Sequence, residues 1–372
     1  MIIASINTRI PDFIRKTAGR RSRLANDIPL LLAGLFLLLI SGGCRLGYLM
    51  HAAAGQYRLI HGSIRVEEAL KDENISPDVK KNLELVALIK DFGEKELGLK
   101  KTGNYETAYL NSRTEPIYII SASPKDRMTS VTWWFPVVGR IPYLGFFDAE
   151  SASAMRKDLL EKNLDVYMGI ADAYSTLGWF NDPVTLNLLE GKTVDLVETI
   201  LHEMTHATIF FYGETEFNEG IANITGKIGA MDFLEKRYGL DNPLALEAKY
   251  ILKDQRIFSS FLRSLMDKLE RLYGSSLSYE EKLEEREQVF GMALERWETM
   301  KAGLSSDRFT DFGRGGLNNA YLLTTGLYHR HFLLFEHLLR ERNGSIRELL
   351  SFVKTCSKDD LNNLLKQGPD GG

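Results

Sequence analysis

The spacing of apolar residues predicts that most of the chain after residue 192 is helical. Apolar side chains recur there every three or four positions, which is the period of an amphipathic helix. The predicted helices cover residues 193–211, about 219–238, 243–272, 278–302 and 317–342, followed by two short C-terminal helices. The short link between 243–272 and 278–302 predicts that these two pack as an antiparallel pair.

The region before residue 192 has a different pattern. β-branched and aromatic residues dominate 115–121, 129–135 and 165–180, which we expect to be strands, and a helix is predicted over 148–164. Residues 45–100 are helical in pattern, with Ser76-Pro77 as a start signal. The predicted fold class is α+β and predominantly helical, with a small mixed sheet before the helical C-terminal region. Its segments are 1–44, 45–100, 101–192 and 193–372.

Residues 1–44 have the composition of an export signal. A basic stretch that ends near Arg23 precedes an apolar run from Ile28 to Ile40, too short to span a membrane comfortably. Small residues then lead to Cys44, as in a bacterial lipoprotein signal. We expect Cys44 to be lipidated and to anchor the chain to a membrane of the cell envelope, facing the periplasm or the exterior. The outer membrane is slightly favoured because Arg45, not aspartate, follows; an uncleaved N-terminal anchor is the alternative.

Charge and composition exclude two classes of protein. Of the 46 basic and 50 acidic residues, seven basic and two acidic ones lie in the first 50 positions, which leaves a net charge of −9 on residues 51–372. Such an acidic body is not typical of a nucleic-acid-binding protein. The mean hydropathy of −0.17 excludes a polytopic membrane protein. With only Cys44 and Cys356 present, lipidation of the first leaves no intramolecular disulfide.

One motif in the helical region has the composition of a metal site. Residues 202–206 read His-Glu-Met-Thr-His, the HExxH pattern. On a helix, His202 and His206 lie about 40° apart, so both imidazoles can bind one zinc ion with Glu203 beside the remaining coordination position. Apolar residues such as Ile200 and Met204 occupy the opposite face and would hold the helix in the core.

A third ligand is needed, because a hydrolytic zinc site has three protein ligands and one open position. No third histidine follows His206 at the metzincin spacing, so we expect a carboxylate. Glu219, in "FNEGIAN" at the start of the next helix, is the predicted ligand, and Glu214 and Glu216 on the connecting turn are the alternatives. Asn223, one turn after Glu219, is predicted to orient a histidine.

These residues belong to a longer resemblance. The chain resembles the bacterial predicted aminopeptidase family of HExxH zinc metallopeptidase lipoproteins, of gluzincin type. The stretches that carry it are "FPVVGRIPYLGFFD" (135–148), "YSTLGWFNDPV" (174–184), "HEMTH" (202–206), "FNEGIAN" (217–223) and "LNNAYLLTTGLYHRHFLLFEHLL" (317–339). They cover nearly the whole chain after Cys44. The resemblance implies a zincin-like fold, one zinc ion per chain and a peptidase activity.

The chemistry of such a site is peptide-bond hydrolysis. Zinc lowers the pKa of a bound water towards about 7, and Glu203 is the predicted general base. A hydrogen-bond donor usually stabilises the oxyanion. The candidates are Tyr328, His329, His331 and Tyr174, of which Tyr328 is the one that we count among the predicted catalytic residues.

Substrate binding is predicted at two places. An edge strand beside the zinc helix would pair with the substrate backbone, and its predicted residues are Ser175, Thr176, Leu177, Gly178 and Trp179. An aminopeptidase must also bind the free amine of its substrate, normally with a carboxylate. The candidates are Asp195, Glu198, Asp148 and Glu150, and the sequence does not select among them.

Three functions therefore fit the sequence. The first is a membrane-tethered zinc peptidase, an aminopeptidase by resemblance, that acts on peptides outside the cytoplasm. The second is an envelope endopeptidase. The third is a non-catalytic zinc-binding lipoprotein that binds a partner through the helices of 243–302. Glu203 favours the first two, because a purely structural zinc site has no use for a general base.

Overall fold

All strands of the described structure lie before residue 186. The structure is a computed structural model that describes residue 55 and residues 57–111, 117–135, 139–171 and 181–367. Residues 57–61 are helical. The elements that follow are β1 (Ile64–Arg65), α1 (Val66–Ala69), α2 (Pro77–Phe92), β2 (Thr107–Tyr109), β3 (Ile117–Ser123), β4 (Trp133–Phe135), β5 (Gly139–Ile141), β6 (Leu144–Phe146), α3 (Ala149–Glu161), β7 (Asp165–Ala171) and β8 (Val184–Thr185). A π-helical turn, Gly93–Leu97, directly extends α2.

The strands form three small sheets, ordered β1-β2-β8, β6-β3-β7 and β4-β5. The β2–β8 pair is parallel and the other four pairs of the described strands are antiparallel. The longest pairing joins β3 to β7, from Ile117 opposite Ala171 to Ser123 opposite Asp165. The predicted strands are thus confirmed at β3 and β7, whereas the strand expected over 129–135 begins only at Trp133.

Helices dominate the described chain after residue 185, so the predicted α+β, predominantly helical class is confirmed. They are α4 (Leu186–Glu190), α5 (Thr193–Thr208), α6 (Thr215–Tyr238), α7 (Pro243–Tyr273), α8 (Tyr279–Lys301), α9 (Asn319–His329), α10 (Phe332–Arg340), α11 (Ile346–Val353) and α12 (Lys358–Gln367). Several predicted boundaries were wrong. The stretch 317–342 forms two helices that separate at Arg330 and His331, and α6 begins four residues earlier than expected. The helices predicted over 148–164 and 193–211 each end three residues early, at Glu161 and Thr208.

The helices α7 and α8 begin at residues that satisfy their first free N–H groups. Asn242 accepts a hydrogen bond from the Leu244 amide, and Pro243, which lacks an N–H, occupies the first turn. Ser278 and Glu281 form a complete capping box at the start of α8. These local signals, all readable in the sequence, explain why the bounds of α7 and α8 lie within one residue of those predicted.

Two groups of buried apolar side chains hold the helices together. The larger one, the main core, surrounds α5 and α6 with residues of α2, α4, the first half of α7 and α10–α12. The smaller one, the hairpin core, lies between α7, α8 and α9 and is rich in aromatic rings, including Phe258, Phe261, Phe290, Trp297, Phe309 and Phe312. The metal motif belongs to the main core.

Asn319 connects the sheet to the helices around the hairpin core. Its side-chain amide donates to the carbonyls of Pro124, Lys125 and Arg127, at 3.0, 3.2 and 3.3 Å. Its backbone N–H donates to Asp165 at 3.0 Å, and its side-chain oxygen accepts from the Tyr273 hydroxyl at 2.8 Å. This fully buried residue therefore sets where α9 starts relative to β7 and α7.

Several sequence predictions concern residues outside the described ranges. The export signal, Cys44, Tyr174 and the predicted substrate strand 175–179 all lie there. Within the described ranges, none of the helices has both the length and the apolar content needed to span a bilayer.

Candidate metal centre

The HExxH motif lies on α5, and the apolar face of that helix holds it in the main core. Ile200 and Met204 are almost completely buried there. The helix ends at Thr208, after which Ile209 adopts an extended conformation. The Thr208 hydroxyl accepts a hydrogen bond from the Lys100 amide at 2.8 Å, which ties the end of α5 to the segment after α2.

Asn218 sets the turn that brings α6 back onto α5. Its side-chain oxygen accepts a hydrogen bond from the Phe211 amide at 2.9 Å, and its amide donates to the Phe211 carbonyl at 2.8 Å. A side chain that satisfies both polar groups of one turn residue holds the loop in one conformation. Because Asn218 is fixed in this way, the next residue, Glu219, is directed to the motif.

Gly226 lets α5 and α6 approach closely beside the motif. A Cβ atom at this position would lie 2.8 Å from the Glu198 carbonyl oxygen and 3.3 Å from the His202 Cβ. The first distance is shorter than a side chain tolerates, so the two backbones can meet here only because residue 226 is glycine. The close approach places the side chains of the two helices within ligand distance of one another.

Three side chains converge on one point between these helices. The Nε2 atoms of His202 and His206 lie 3.1 Å apart. One carboxylate oxygen of Glu219 lies 3.3 Å from His202 Nε2 and 3.6 Å from His206 Nε2. One ligand atom from each of the three residues fits within 4.8 Å of the others, so together they can hold a metal ion.

The chemistry of this set fits a cation. In the described structure the buried Glu219 Oε2 makes no hydrogen bond, although it faces two ring nitrogens. Burial would raise the pKa of Glu219, but His206 and His202 outweigh it and hold that pKa far below its usual range. Burial would likewise lower the pKa of His206, yet Glu219 and Glu203 raise it. The carboxylate is therefore charged and directed at a point where two nitrogen lone pairs can converge.

Glu203 follows His202 on α5, and its charge acts on His206. Its Oε2 atom is buried and has no hydrogen-bond partner within the described residues. Burying a carboxylate oxygen without a partner costs free energy, so such atoms are uncommon outside functional sites. The geometry thus provides a proton acceptor next to the three candidate ligands.

Tyr105 is a neighbour of Glu203 that sequence reasoning missed. Burial raises the pKa of its phenol well above the usual value, and the charges of Glu203 and Asp182 add to the shift. Its backbone has a φ of 63°, a left-handed conformation that is uncommon for a bulky residue. The Asp182 carbonyl, which accepts from the Tyr105 amide at 2.7 Å, helps to hold it there. No local sequence signal marks this residue, because it comes from 98 positions before Glu203.

The family model described as "Putative aminopeptidase" matches residues 47–364, which include all of the site residues described so far. The chain belongs to this family. No curated protein and no solved structure matches the chain. Aminopeptidases are hydrolases, so the description of the family predicts a hydrolase.

The junction between α9 and α10 lies beside the candidate metal centre. The Tyr328 ring lies 6.1 Å from the His202 ring, centroid to centroid. The amide of Asn223 donates to the Tyr328 carbonyl. Asn223 was predicted to orient a histidine; its hydrogen bond in the described structure goes to this backbone instead, so it positions Tyr328.

The two histidines after Tyr328 have different surroundings. His329 Nδ1 lies 3.0 Å from Gln255 Oε1, and its ring packs against Phe258 and Phe309. Burial, with the charges of Lys227 and Arg308, holds the pKa of His329 well below its usual value, so this histidine is neutral and lies in the hairpin core. His331 instead bonds to Glu216, at 2.7 Å. Of the two, only His331 is linked to the helix turn that carries Glu219.

A group of charged residues surrounds Glu198, which lies one turn before His202 on α5. Lys227 Nζ is 3.1 Å from Glu198 Oε2, and Arg308 binds both Glu198, at 3.3 Å, and Asp195. Burial would raise the pKa of Glu198, but Lys227 and Arg308 outweigh it and lower that pKa. Both carboxylates, which were candidates for binding a substrate amine, are therefore neutralised by cations.

The remaining predicted carboxylates also have defined positions. Glu214 lies 3.3 Å from Lys358 Nζ. Asp148 caps α3 by accepting from the Ser151 amide at 2.7 Å, and Glu150 lies in the first turn of the same helix. Glu216 is part of α6 rather than of a turn, and the metal triad does not include it.

Proposed function

We propose that this chain is a zinc-dependent aminopeptidase. One zinc ion would be bound by the Nε2 atoms of His202 and His206 and by the Glu219 carboxylate. The observation that supports it is the convergence of these three groups beside the unpartnered Oε2 of Glu203. Two imidazoles with one carboxylate are a typical ligand set of catalytic zinc, which keeps a fourth position open.

A bound zinc ion would supply a water of lowered pKa and polarise the scissile carbonyl. The residues of the chain would do the rest. Glu203 Oε2 would accept the proton of the attacking water and later donate it to the nitrogen of the leaving amine. Its buried oxygen has no partner in the described structure that would compete for that proton.

We propose that one of two tyrosines stabilises the oxyanion. Tyr328 faces the His202 ring, and Tyr105 lies within the electrostatic reach of Glu203. The raised pKa of Tyr105 keeps its hydroxyl protonated and able to donate a hydrogen bond. Tyr328 is the primary candidate because it lies against a metal ligand, and Tyr105 is the alternative.

The test compares wild type with Glu203→Gln, both as the full chain in detergent with zinc supplied. The substrates are a panel of aminoacyl fluorophores and a set of internally quenched peptides with blocked N-termini. We expect cleavage of the free-amine substrates alone, and a loss of at least about 100-fold in kcat for the variant, with one zinc ion still bound per chain. Cleavage of blocked peptides would favour an endopeptidase. Equal inactivity of both proteins, with zinc bound, would favour the non-catalytic lipoprotein.

We further propose that the chain is tethered to a membrane of the cell envelope through a lipid on Cys44. The support is the sequence of residues 1–44. Labelling cells with a radioactive fatty acid tests this: the label should appear in wild type and be absent from Cys44→Ser. If the Cys44→Ser variant keeps both its membrane fraction and its N-terminal residues, the uncleaved anchor is the better explanation.

A further inference from the structure

An aminopeptidase has to bind a protonated amine, and most carboxylates around the candidate metal centre are already paired with cations. Asp195 and Glu198 are bound by Arg308, and Glu198 also by Lys227. Glu214 is paired with Lys358. A substrate amine would have to displace a lysine or an arginine from each of these groups, which cancels most of the gain in binding.

Glu216 differs from them in its partner. It bonds to His331 Nε2, which lies 2.7 Å from its Oε1. Unlike lysine and arginine, a histidine can hydrogen-bond to a carboxylate without carrying a permanent positive charge. Arg330 acts on Glu216 only at longer range, since its guanidinium is bound by Glu270 at 2.8 Å and by Asp267 at 3.0 Å.

The position of Glu216 suits a group that binds substrate next to the metal. It precedes Glu219 by three residues on α6, so the Cβ atoms of the two are about 5–6 Å apart on neighbouring turns. The Glu216 side chain is 43% exposed, whereas that of Glu219 is only 7% exposed. Within the described residues, Glu216 Oε2 has no bonding partner.

His331 holds this carboxylate at the wall of the site. Its side chain is only 12% exposed, so its ring has little freedom to move. It follows Tyr328, whose ring faces His202, by three residues. The Glu216–His331 pair therefore joins the helix that carries a metal ligand to the wall that carries the proposed oxyanion donor.

We propose that Glu216, oriented by His331, binds the protonated α-amine of the substrate and thereby selects peptides with a free N-terminus. This inference rests on the proposed zinc aminopeptidase function and gives that function its specificity. A hydrogen bond between two charged groups contributes roughly 10- to 100-fold in affinity. Loss of the Glu216 charge should therefore reduce discrimination between amine and non-amine substrates by that factor.

The experiment compares Glu216→Gln with Glu214→Gln in the full zinc-loaded enzyme. Glu214 is the matched control because it lies two residues away and its carboxylate is engaged by Lys358. The substrates are leucyl-aminomethylcoumarin and its isocaproyl analogue, which has the same side chain but lacks the amine. We expect Glu216→Gln to raise KM for the leucyl substrate roughly 10- to 100-fold and to leave the isocaproyl substrate unchanged. Glu214→Gln should change neither.

Binding of leucine hydroxamate and isocaproyl hydroxamate, measured by calorimetry, provides a readout that does not depend on turnover. Wild type should prefer the hydroxamate with the amine, and Glu216→Gln should lose that preference while both variants keep one zinc ion. An equal loss for both ligands would overturn the inference, because it would indicate a structural role. So would a preference that survives in Glu216→Gln.

If wild type hydrolyses leucyl-aminomethylcoumarin and Glu216→Gln discriminates as well as wild type, only the inference is wrong. If wild type hydrolyses nothing and shows no preference between the hydroxamates, both are wrong.

The positioning role of His331 has its own test. His331→Gln keeps a side-chain donor and should retain most of the amine preference, whereas His331→Leu should lose part of it. If His331→Leu keeps the full preference and binds zinc normally, Glu216 needs no orientation by His331.

Discussion

Two helix pairs in this molecule are joined by short loops, and they differ in what fills the space between the helices. The pair α5–α6 encloses histidines, carboxylates and a lysine, with Gly226 at its closest approach. The pair α7–α8 encloses aromatic and aliphatic side chains of the hairpin core. Burying ionisable groups carries a desolvation penalty, whereas burying apolar surface stabilises at about 25 cal/mol per Å².

The difference indicates a division of labour between the two regions. The α5–α6 pair positions chemical groups at a cost in stability. That cost is offset by the apolar surface that these helices bury in the main core. Buried apolar side chains of the α7–α8 hairpin, which holds none of the candidate metal ligands, add further stability. We therefore expect substitutions in the hairpin to change stability without changing zinc binding, and substitutions between α5 and α6 to change both.

The largest expected loss of stability comes from Trp297→Ala in the hairpin core. Trp297 is fully buried, and its ring packs against Phe258 and Phe261. Its indole N–H also donates to the Phe309 carbonyl at 3.2 Å. Removal should cost about 4 kcal/mol in the free energy of unfolding, measured by urea denaturation. A change in zinc affinity, measured on the folded variant, would contradict the separation of the two regions.

A smaller loss is expected from Lys227→Met between α5 and α6. Without Lys227, the buried Glu198 keeps only Arg308 as a cationic partner among the described residues, at 3.3 Å. Removing one member of a buried pair costs about 3 kcal/mol, and the double variant with Glu198→Gln should recover much of it. Lys236→Met is the control on the same helix. Its pair with Glu96 is exposed, so it should cost less than about 1 kcal/mol.

Two glycine substitutions test the helix contacts directly. Gly226→Ala introduces a Cβ that meets the Glu198 carbonyl at 2.8 Å, so the helices must separate. We expect a loss of about 2 kcal/mol and a fall of roughly 10-fold in zinc affinity. Gly291→Ala, in α8, meets no atom within 4 Å and should stabilise by about 1 kcal/mol. If both variants changed the free energy of unfolding and the zinc affinity equally, the proposed difference between the α5–α6 and α7–α8 pairs would be wrong.

The smallest effect concerns Asp232, a carboxylate of α6 outside the site. Burial raises its pKa to about 6, and Glu235 adds to the shift. The folded state thus binds this proton more tightly than the unfolded chain, where the pKa is about 3.9. The resulting stability is complete below pH about 4 and is lost as the pH rises through 6.

Asp232→Asn should remove that loss. At pH 8 the variant should be more stable than wild type, because the buried charge of Asp232 is gone. Solvent screening limits this gain to about 1 kcal/mol, and at pH 4 we expect no gain. Asp254 in the hairpin is the contrast, since its carboxylate accepts hydrogen bonds from the Ser305 amide at 2.9 Å and from the Ser306 amide at 2.6 Å. Asp254→Asn should therefore destabilise at pH 8. Melting temperatures at the two pH values check both expectations.

Much of the fold could be predicted from the sequence where local signals agree. The apolar period, Pro243 and the Ser278–Glu281 capping box determine α7 and α8 within a residue. The break between α9 and α10 was missed, because no proline or glycine marks it. The backbone of His331 departs from helical geometry. The side chain of this residue bonds to Glu216, which lies 115 positions earlier in the chain.

The candidate site divides in the same way. The sequence by itself determined that His202, Glu203 and His206 share one helix face, because a helix repeats every 3.6 residues whatever surrounds it. The sequence also indicated Glu219 as the third ligand, because "FNEGIAN" resembles the start of the second zinc helix in gluzincins. The roles of the other residues in that stretch became visible only in the structure, where Asn218 fixes the turn and Asn223 bonds to Tyr328.

Only the tertiary structure decided which distant groups surround the motif. It placed Tyr105 near Glu203, neutralised Asp195 and Glu198 with Arg308, and left Glu216 with a histidine as its partner. These outcomes depend on how helices and loops far apart in the chain pack against one another. Packing of that kind minimises the free energy of the whole core, so no short stretch of residues encodes it.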